Sequence, residues 1–231
     1  MTGPVIVRNI ERPSADVVAG LREAGVATVH EAMGRTGLTV PEIRPIQGGA
    51  RVAGPAVTVL CPTGDNMMIH ASVEVVEPGD VLVVAIKGSS TDGMVGELLA
   101  TSLMHRGCAG LVIEAGVRDV ADLREMGFPV WSSAIHAQGT VKETPGWVNI
   151  PIACGGVDVA PGDVVIADDD GVVVVPRDRA GEILEAAQER RAREVATRVR
   201  LQAGELGLDF YGLRDKLEGL GVRWVDDAGD L

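Results

Sequence analysis

The chain has 231 residues, which at roughly 150 residues per domain points to one large domain with appendages. Apolar residues make up 46% and charged residues 23%, an ordinary globular balance that excludes wholesale disorder and fibrous repeats. Lys and Arg number 21 against 33 Asp and Glu, a formal charge of -12, so there is little of the cationic surface that nucleic-acid backbone binding requires.

Ser14 is a good N-cap for a helix over Ala15–Ala24, with Val17, Val18 and Leu21 on one face and a stop at Gly25. Residues 26–33 continue as a second short helical piece. The β-branched run 51–60, punctuated by Gly54 and Pro55, reads as strand, turn, strand. A helix over 66–76 follows, closed by the turn signal Glu77-Pro78-Gly79-Asp80 before the apolar run 81–86. The pattern then repeats: a glycine-rich loop over 88–96, an amphipathic helix from about Glu97 to Arg106 and a buried strand over 109–113. A helix over 120–126 ends at Gly127, and 128–131 resumes extended structure. Short strands at 148–153, 164–167 and 172–175, separated by Pro161-Gly162-Asp163 and by the turn at 168–171, predict an antiparallel portion. From 179 to 203 the composition turns to Ala, Glu and Arg, with a narrow apolar stripe at Ile183, Leu184, Ala187, Val195 and Val199, which predicts a long helix packed on a neighbour. The expected fold is a layered α/β domain over 1–178 with a helical C-terminal extension over 179–231.

Cys61, Cys108 and Cys154 are odd in number and lack the spacing of a disulfide framework or zinc site, which fits a reducing cytoplasm. The N-terminus lacks the basic-then-apolar pattern of a secretory signal. No apolar run reaches the roughly 18 residues of a membrane helix. A cytosolic protein that binds neither membrane nor nucleic acid is expected.

Two segments carry candidate chemistry. Gly93 to Gly96 lead into the helix that starts at Glu97, so the free amides of the first turn, at the positive end of the helix dipole, suit a carboxylate or phosphate. An ordinary helix entry with Glu97 favouring the dipole explains the same residues. Gly116-Val117-Arg118-Asp119 ends a strand and precedes a helix, where α/β folds place ligand-binding residues. Arg118 offers a fork to a carboxylate and Asp119 a hard oxygen ligand for Mg²⁺ or Mn²⁺. Alternatively, Asp119 is an N-cap with Arg118 paired to it. The aspartates Asp168, Asp169 and Asp170 lack the twelve-residue calcium-loop pattern and read as a turn. His30, His70, His105 and His136 show no metal spacing and receive no catalytic role.

Glu97, twenty residues, Arg118-Asp119 and then Asp122 resemble the acidic-x20-Arg-Asp motif of the class II pyruvate aldolases. These cleave 4-hydroxy-4-methyl-2-oxoglutarate and 4-carboxy-4-hydroxy-2-oxoadipate in aromatic-compound catabolism. The resemblance extends through Gly64-Asp65-Asn66, Pro78-Gly79-Asp80, Gly139-Thr140-Val141-Lys142 and Pro161-Gly162-Asp163, and it covers most of 26–177. It implies a swivelling β/β/α fold that assembles as homotrimers or homohexamers. By the same resemblance Asp119 binds the divalent metal, Glu97 reaches it through water, and Arg118 holds the pyruvyl carboxylate. The amides around Gly96, Leu98 and Leu99 take the oxo-acid's oxygens, and Asn66 and Lys142 meet its distal end. A further acid comes from a neighbouring subunit's C-terminal helix, where Glu194 is the best match and Glu189 and Glu185 are the alternatives. Oxaloacetate decarboxylation is the implied second activity. The related regulators of ribonuclease E activity supply the rival expectation, a non-catalytic binding protein. The segment 204–217 favours the aldolase branch because the regulators generally have a shorter C-terminal part. A methyltransferase reading lacks a nucleoside-binding glycine loop.

Overall fold

The computed structural model describes residues 3–230. In chain order its elements are β1 (Val5–Ile6), α1 (Ala15–Ala24), α2 (Val26–Ala32), β2 (Arg44–Pro45), β3 (Val52–Pro62), α3 (Met67–Ser72), β4 (Val81–Lys87) and β5 (Gly93–Val95). Then come α4 (Glu97–His105), β6 (Gly110–Val117), α5 (Val120–Glu125), β7 (Val130–Ile135), β8 (Trp147–Val148), β9 (Ile152–Cys154) and β10 (Val157–Val159). The chain ends with β11 (Val164–Asp168), β12 (Gly171–Val175), α6 (Ala180–Gln202), α7 (Gly207–Phe210) and α8 (Leu213–Gly219).

The centre is a parallel block in which β3 pairs with β4, β4 with β6 and β6 with β7. Helices α3, α4 and α5 connect these strands, as parallel pairing demands. One face of the block, with Val57, Leu82, Leu111 and Ile113, packs against Ile69, Leu103 and Leu123 of those helices. The other face, with Val83, Val112 and Trp131, packs against Val165 and Ala167 of β11 and Val172 and Val174 of β12. Because alternate residues of a strand face opposite ways, Val164, Ile166, Val173 and Val175 point to a third core with Leu21, Val29 and Ile183 from α1, α2 and α6. Each fully buried aliphatic side chain stabilises this layering by about 1.5–3 kcal/mol. The architecture is the mixed α/β fold the alternating pattern predicts.

Helix α1 forms as expected, with Ser14 Oγ accepting the Val17 N–H at 3.4 Å and Gly25 closing it at φ 81°. Two expectations are corrected. The run 51–60 is one strand rather than strand, turn, strand, because Gly54 and Pro55 pair antiparallel with Val165 and Val164 while the second half of β3 pairs parallel with β4. A Cβ at Gly54 would lie 2.1 Å from the Gly79 carbonyl oxygen, so this glycine serves a close approach and not a turn. The helix expected over 66–76 is only α3, and the chain leaves it through tight turns at Glu74 and Val75. The β9–β10 hairpin was not anticipated; its connection is Gly155-Gly156, with φ of 57° and 77°.

Two compact units divide between Gln188 and Glu189, inside α6. The C-terminal unit contains the rest of α6 with α7 and α8. Its side chains make local pairs, among them Arg190 with Glu194 at 2.9 Å, Arg200 with Glu205 at 2.6 Å and Arg214 with Asp209. Arg200 also stacks over Phe210, 4.2 Å from the ring centre. Among the described residues no helix is long and apolar enough to cross a membrane.

Candidate active site

The carboxyl ends of β3, β5 and β6 open on one side of the parallel block, where α/β sheets bind ligands. Strand β6 ends at Val117, and the Arg118 N–H donates to the Val95 carbonyl at 2.9 Å, which ties the next residues to β5. Asp119 then adopts φ 54°, a left-handed conformation that Asp tolerates better than most residues. It occupies the N-cap position of α5 but makes no side-chain cap bond there. Its Oδ2 instead accepts the N–H of Glu97, the first residue of α4, at 3.2 Å. Of the N-cap alternative, the position and the pairing with Arg118 are realised, but the capping bond is not. The carboxylate crosses to the positive end of the neighbouring helix.

Gly96 makes this crossing possible. A Cβ there would lie 2.2 Å from Asp119 Oδ2 and 3.1 Å from Arg118 Nε. Arg118 Nε stands 3.7 Å from Asp119 Oδ2, and both side chains remain nearly half-exposed. The pair is in contact without being consumed by it, so each keeps hydrogen-bonding capacity for a ligand.

Of the residues singled out in the sequence, Asn66, Gly96, Leu98, Leu99, Arg118, Asp119 and Lys142 line one cleft of about 120 Å³. His70 and Met94 complete it. His70 received no role from the sequence, although it follows Asn66 at the i, i+4 spacing that puts two residues on one helix face. Burial, with the Lys142 charge adding to it, pushes the His70 imidazole below its usual value. The Glu97 carboxylate is not part of the lining; it accepts the Thr101 hydroxyl at 2.9 Å, and Glu97 serves the site through its N–H. Glu194 belongs to the C-terminal unit, where it pairs with Arg190.

Although the chain carries a net charge of -12, the cleft presents Arg118, Lys142 and a helix N-terminus around the single carboxylate of Asp119. Such a lining selects an anion. The donor set also fits a hard divalent cation. Among the described residues no three His, Cys, Asp or Glu side chains gather as a ligand group, and Mg²⁺ is commonly held by one or two carboxylates with the remaining positions left to water and substrate. Asn66 keeps an acceptor for a bound ligand: its Nδ2 donates to the Met94 carbonyl at 2.8 Å, which leaves Oδ1 buried and without a partner. Thiolate chemistry is disfavoured. All three cysteines are free and buried, and burial pushes their thiols up, Cys108 to about 11 and Cys61 to about 12. Asp168 holds structure instead, its carboxylate accepting the Val26 N–H at 3.0 Å at the start of α2.

Residues 26–174 match the model of the RraA-like family, described as Aldolase/RraA. The chain belongs to the RraA-like family. A Halalkalibacterium halodurans protein named "Putative 4-hydroxy-4-methyl-2-oxoglutarate aldolase" is 31% identical over 182 residues, 78% of this chain and 86% of that one. A Burkholderia multivorans protein of the same name is 40% identical over 134 residues, 58% of this chain and 81% of its own length. The crystal structure of Streptomyces coelicolor RraAS2, described as an unusual member of the RNase ES inhibitor RraA protein family, superposes with a TM-score of 0.73 at 34% identity. That match covers 82% of this chain and 100% of the other. The family thus contains proteins named for aldol cleavage and for ribonuclease inhibition, and the matched segment includes the whole cleft lining.

Proposed function

We propose that this protein is a divalent-metal-dependent aldolase that cleaves 4-hydroxy-2-oxo diacids to pyruvate and a second oxo-acid. Its substrates are of the 4-carboxy-4-hydroxy-2-oxoadipate and 4-hydroxy-4-methyl-2-oxoglutarate kind, and oxaloacetate decarboxylation is its second activity. The observation that carries this reading is the cationic cleft in an acidic protein, with one carboxylate, Asp119, laid across the N-terminus of α4 beside Arg118. The names of the relatives support the same chemistry.

Asp119 would hold Mg²⁺ or Mn²⁺ directly, its carboxylate oriented by the Glu97 N–H, with the Glu194 of a neighbouring copy acting through water. When bound, the cation supplies Lewis acidity toward the 2-oxo acid. Arg118 binds the pyruvyl carboxylate with its fork and stabilises the oxyanion that develops at C2. The Leu98 and Leu99 amides at the helix start orient the same end of the substrate. Lys142 and Asn66 receive the distal end. As the C4 hydroxyl loses its proton, the C3–C4 bond breaks, its electron pair forms the C2–C3 enolate, and a proton returned to C3 yields pyruvate. The same enolate forms when oxaloacetate loses CO₂. A trimer or hexamer in a reducing cytoplasm accompanies this reading.

The test is pyruvate release from 4-carboxy-4-hydroxy-2-oxoadipate and from oxaloacetate, read by lactate dehydrogenase coupling with Mg²⁺ and then with EDTA. Turnover that EDTA abolishes supports the aldolase. The likeness to RraAS2 over 82% of the chain favours a second reading, a non-catalytic protein that binds a ribonuclease or another enzyme. Absence of turnover on both acids, together with retention of a ribonuclease in a pull-down, would move the assignment there.

A further inference from the structure

The geometry points to Asp65 as a positioning residue that fixes where Lys142 stands in the cleft. This rests on the aldolase reading and deepens it by naming what sets the end of the site that meets the distal carboxylate. Asp65 follows β3 and is 2% exposed. Its Oδ1 accepts the Met67 N–H at 2.9 Å, at the start of α3. Its Oδ2 accepts the Glu143 N–H at 2.7 Å and the Thr144 N–H at 2.6 Å. One buried side chain therefore joins the helix entry that carries Asn66 to a loop nearly eighty residues further along the chain.

Lys142 sits between anchored residues on both sides. Val141 before it donates to the Gly64 carbonyl at 3.0 Å and accepts the Asn66 N–H at 3.1 Å, and Glu143 and Thr144 after it are held by Asp65. Lysine is a flexible point charge that loses much rotamer freedom when it binds. A loop already fixed spares the site the further cost of ordering the backbone. The two oxygens of a carboxylate accept three N–H groups at once here, and a buried carboxylate without them would be expelled or neutralised. Burial alone raises the Asp65 carboxyl, yet the three backbone donors and the Thr144 hydroxyl outweigh it and hold the group below its ordinary value.

A turn-holding aspartate with no bearing on the site would have the same three bonds, and kinetics separates the two roles. The experiment compares wild type, Asp65→Asn, Lys142→Ala and the double variant on two Mg²⁺-dependent reactions. One is cleavage of 4-carboxy-4-hydroxy-2-oxoadipate. The other is exchange of the pyruvate methyl hydrogens with D₂O, whose substrate has no distal carboxylate. Asp65→Asn is expected to raise KM for the diacid about tenfold, the loss of one buried charge-assisted hydrogen bond, with kcat and pyruvate exchange affected much less. In the Lys142→Ala background the same substitution should add little. Equal losses in both reactions, or additive losses in the double variant, would overturn the proposal. Amide hydrogen exchange at Glu143 and Thr144 of the unmodified protein tests the clamp without any variant: slow exchange is expected, and exchange at the rate of a free peptide sinks it. A wild type that cleaves neither acid overturns the aldolase reading, while those two amides still answer for Asp65.

Discussion

In the α/β unit Ile183 and Ala187 of α6 are 2% and 0% exposed, packed over the β11–β12 hairpin; further along the same helix, Val195 and Val199 are 51% and 61% exposed. The apolar stripe continues from one unit into the next, but its cover stops. Leu206, Tyr211 and Trp224 of the C-terminal unit are likewise more than half exposed. Stability therefore comes from the layered unit, where each buried aliphatic residue contributes about 1.5–3 kcal/mol. The C-terminal unit relies on helix propensity and on arginine-carboxylate pairs worth only about 0.2–1 kcal/mol each. Contiguous exposed apolar surface usually marks an interaction site.

The largest expected effect lies at the cleft of the layered unit, where activity depends on exposed side chains and stability on buried ones. Asp119→Asn should lower pyruvate release by about two to three orders of magnitude, the usual loss when a transition-state electrostatic partner is removed, with circular dichroism unchanged. Full activity would refute its role at the metal. Ala187→Asp should do the reverse in kind: an unpaired charge buried beneath the hairpin costs about 3–5 kcal/mol, seen as an early thermal transition. An unchanged Tm would mean that this end of α6 is as loosely held as the other.

A smaller effect belongs to Asp65. Its folded-state carboxyl lies below its ordinary value, so its contribution to stability is fully present above the unfolded carboxyl value of about 3.9 and is lost as pH falls through the lowered folded value. The Tm gap between wild type and Asp65→Asn should thus be constant near neutrality and should narrow below about pH 4. A gap that persists in acid would show that the carboxylate's charge contributes nothing to the fold.

What the sequence revealed follows from how local each signal is. Ser14 and Gly25 bracket α1 by cap chemistry that needs no partner, and they are read correctly. Gly54 and Pro55 suggested a turn because their fit to β11 and to Gly79 is a tertiary fact. Gly155-Gly156 was a legible hairpin signal that went unused. At the site, spacing alone placed Arg118 and Asp119 at a strand end, and the structure gathers seven of the residues singled out into one cleft. The direction of the Asp119 carboxylate, toward α4 instead of its own α5, was illegible because it depends on the space left by Gly96. His70 carries no such local signal, because its place in the cleft depends on Lys142 arriving from a distant loop.

The smallest expected change in single-chain stability, within about 0.5 kcal/mol, is at Val199→Asp, since a solvated side chain replaces one already 61% exposed. The same substitution is the strongest test of what the bare stripe is for. If a neighbouring copy covers it, light scattering should show a trimer or hexamer falling apart while the Tm of the layered unit barely moves, and cleavage should fall with assembly because the Glu194 carboxylate would no longer be supplied across the contact. Co-expressing Asp119→Asn with Glu194→Gln then distinguishes supply in trans from supply in cis. Each variant alone lacks one half of the site, but a mixed assembly contains contacts in which an intact Asp119 meets an intact Glu194, so activity returns in trans and stays lost in cis. An assembly unchanged by Val199→Asp would mean that the stripe stands in water and that the cleft of the layered unit works from its own residues.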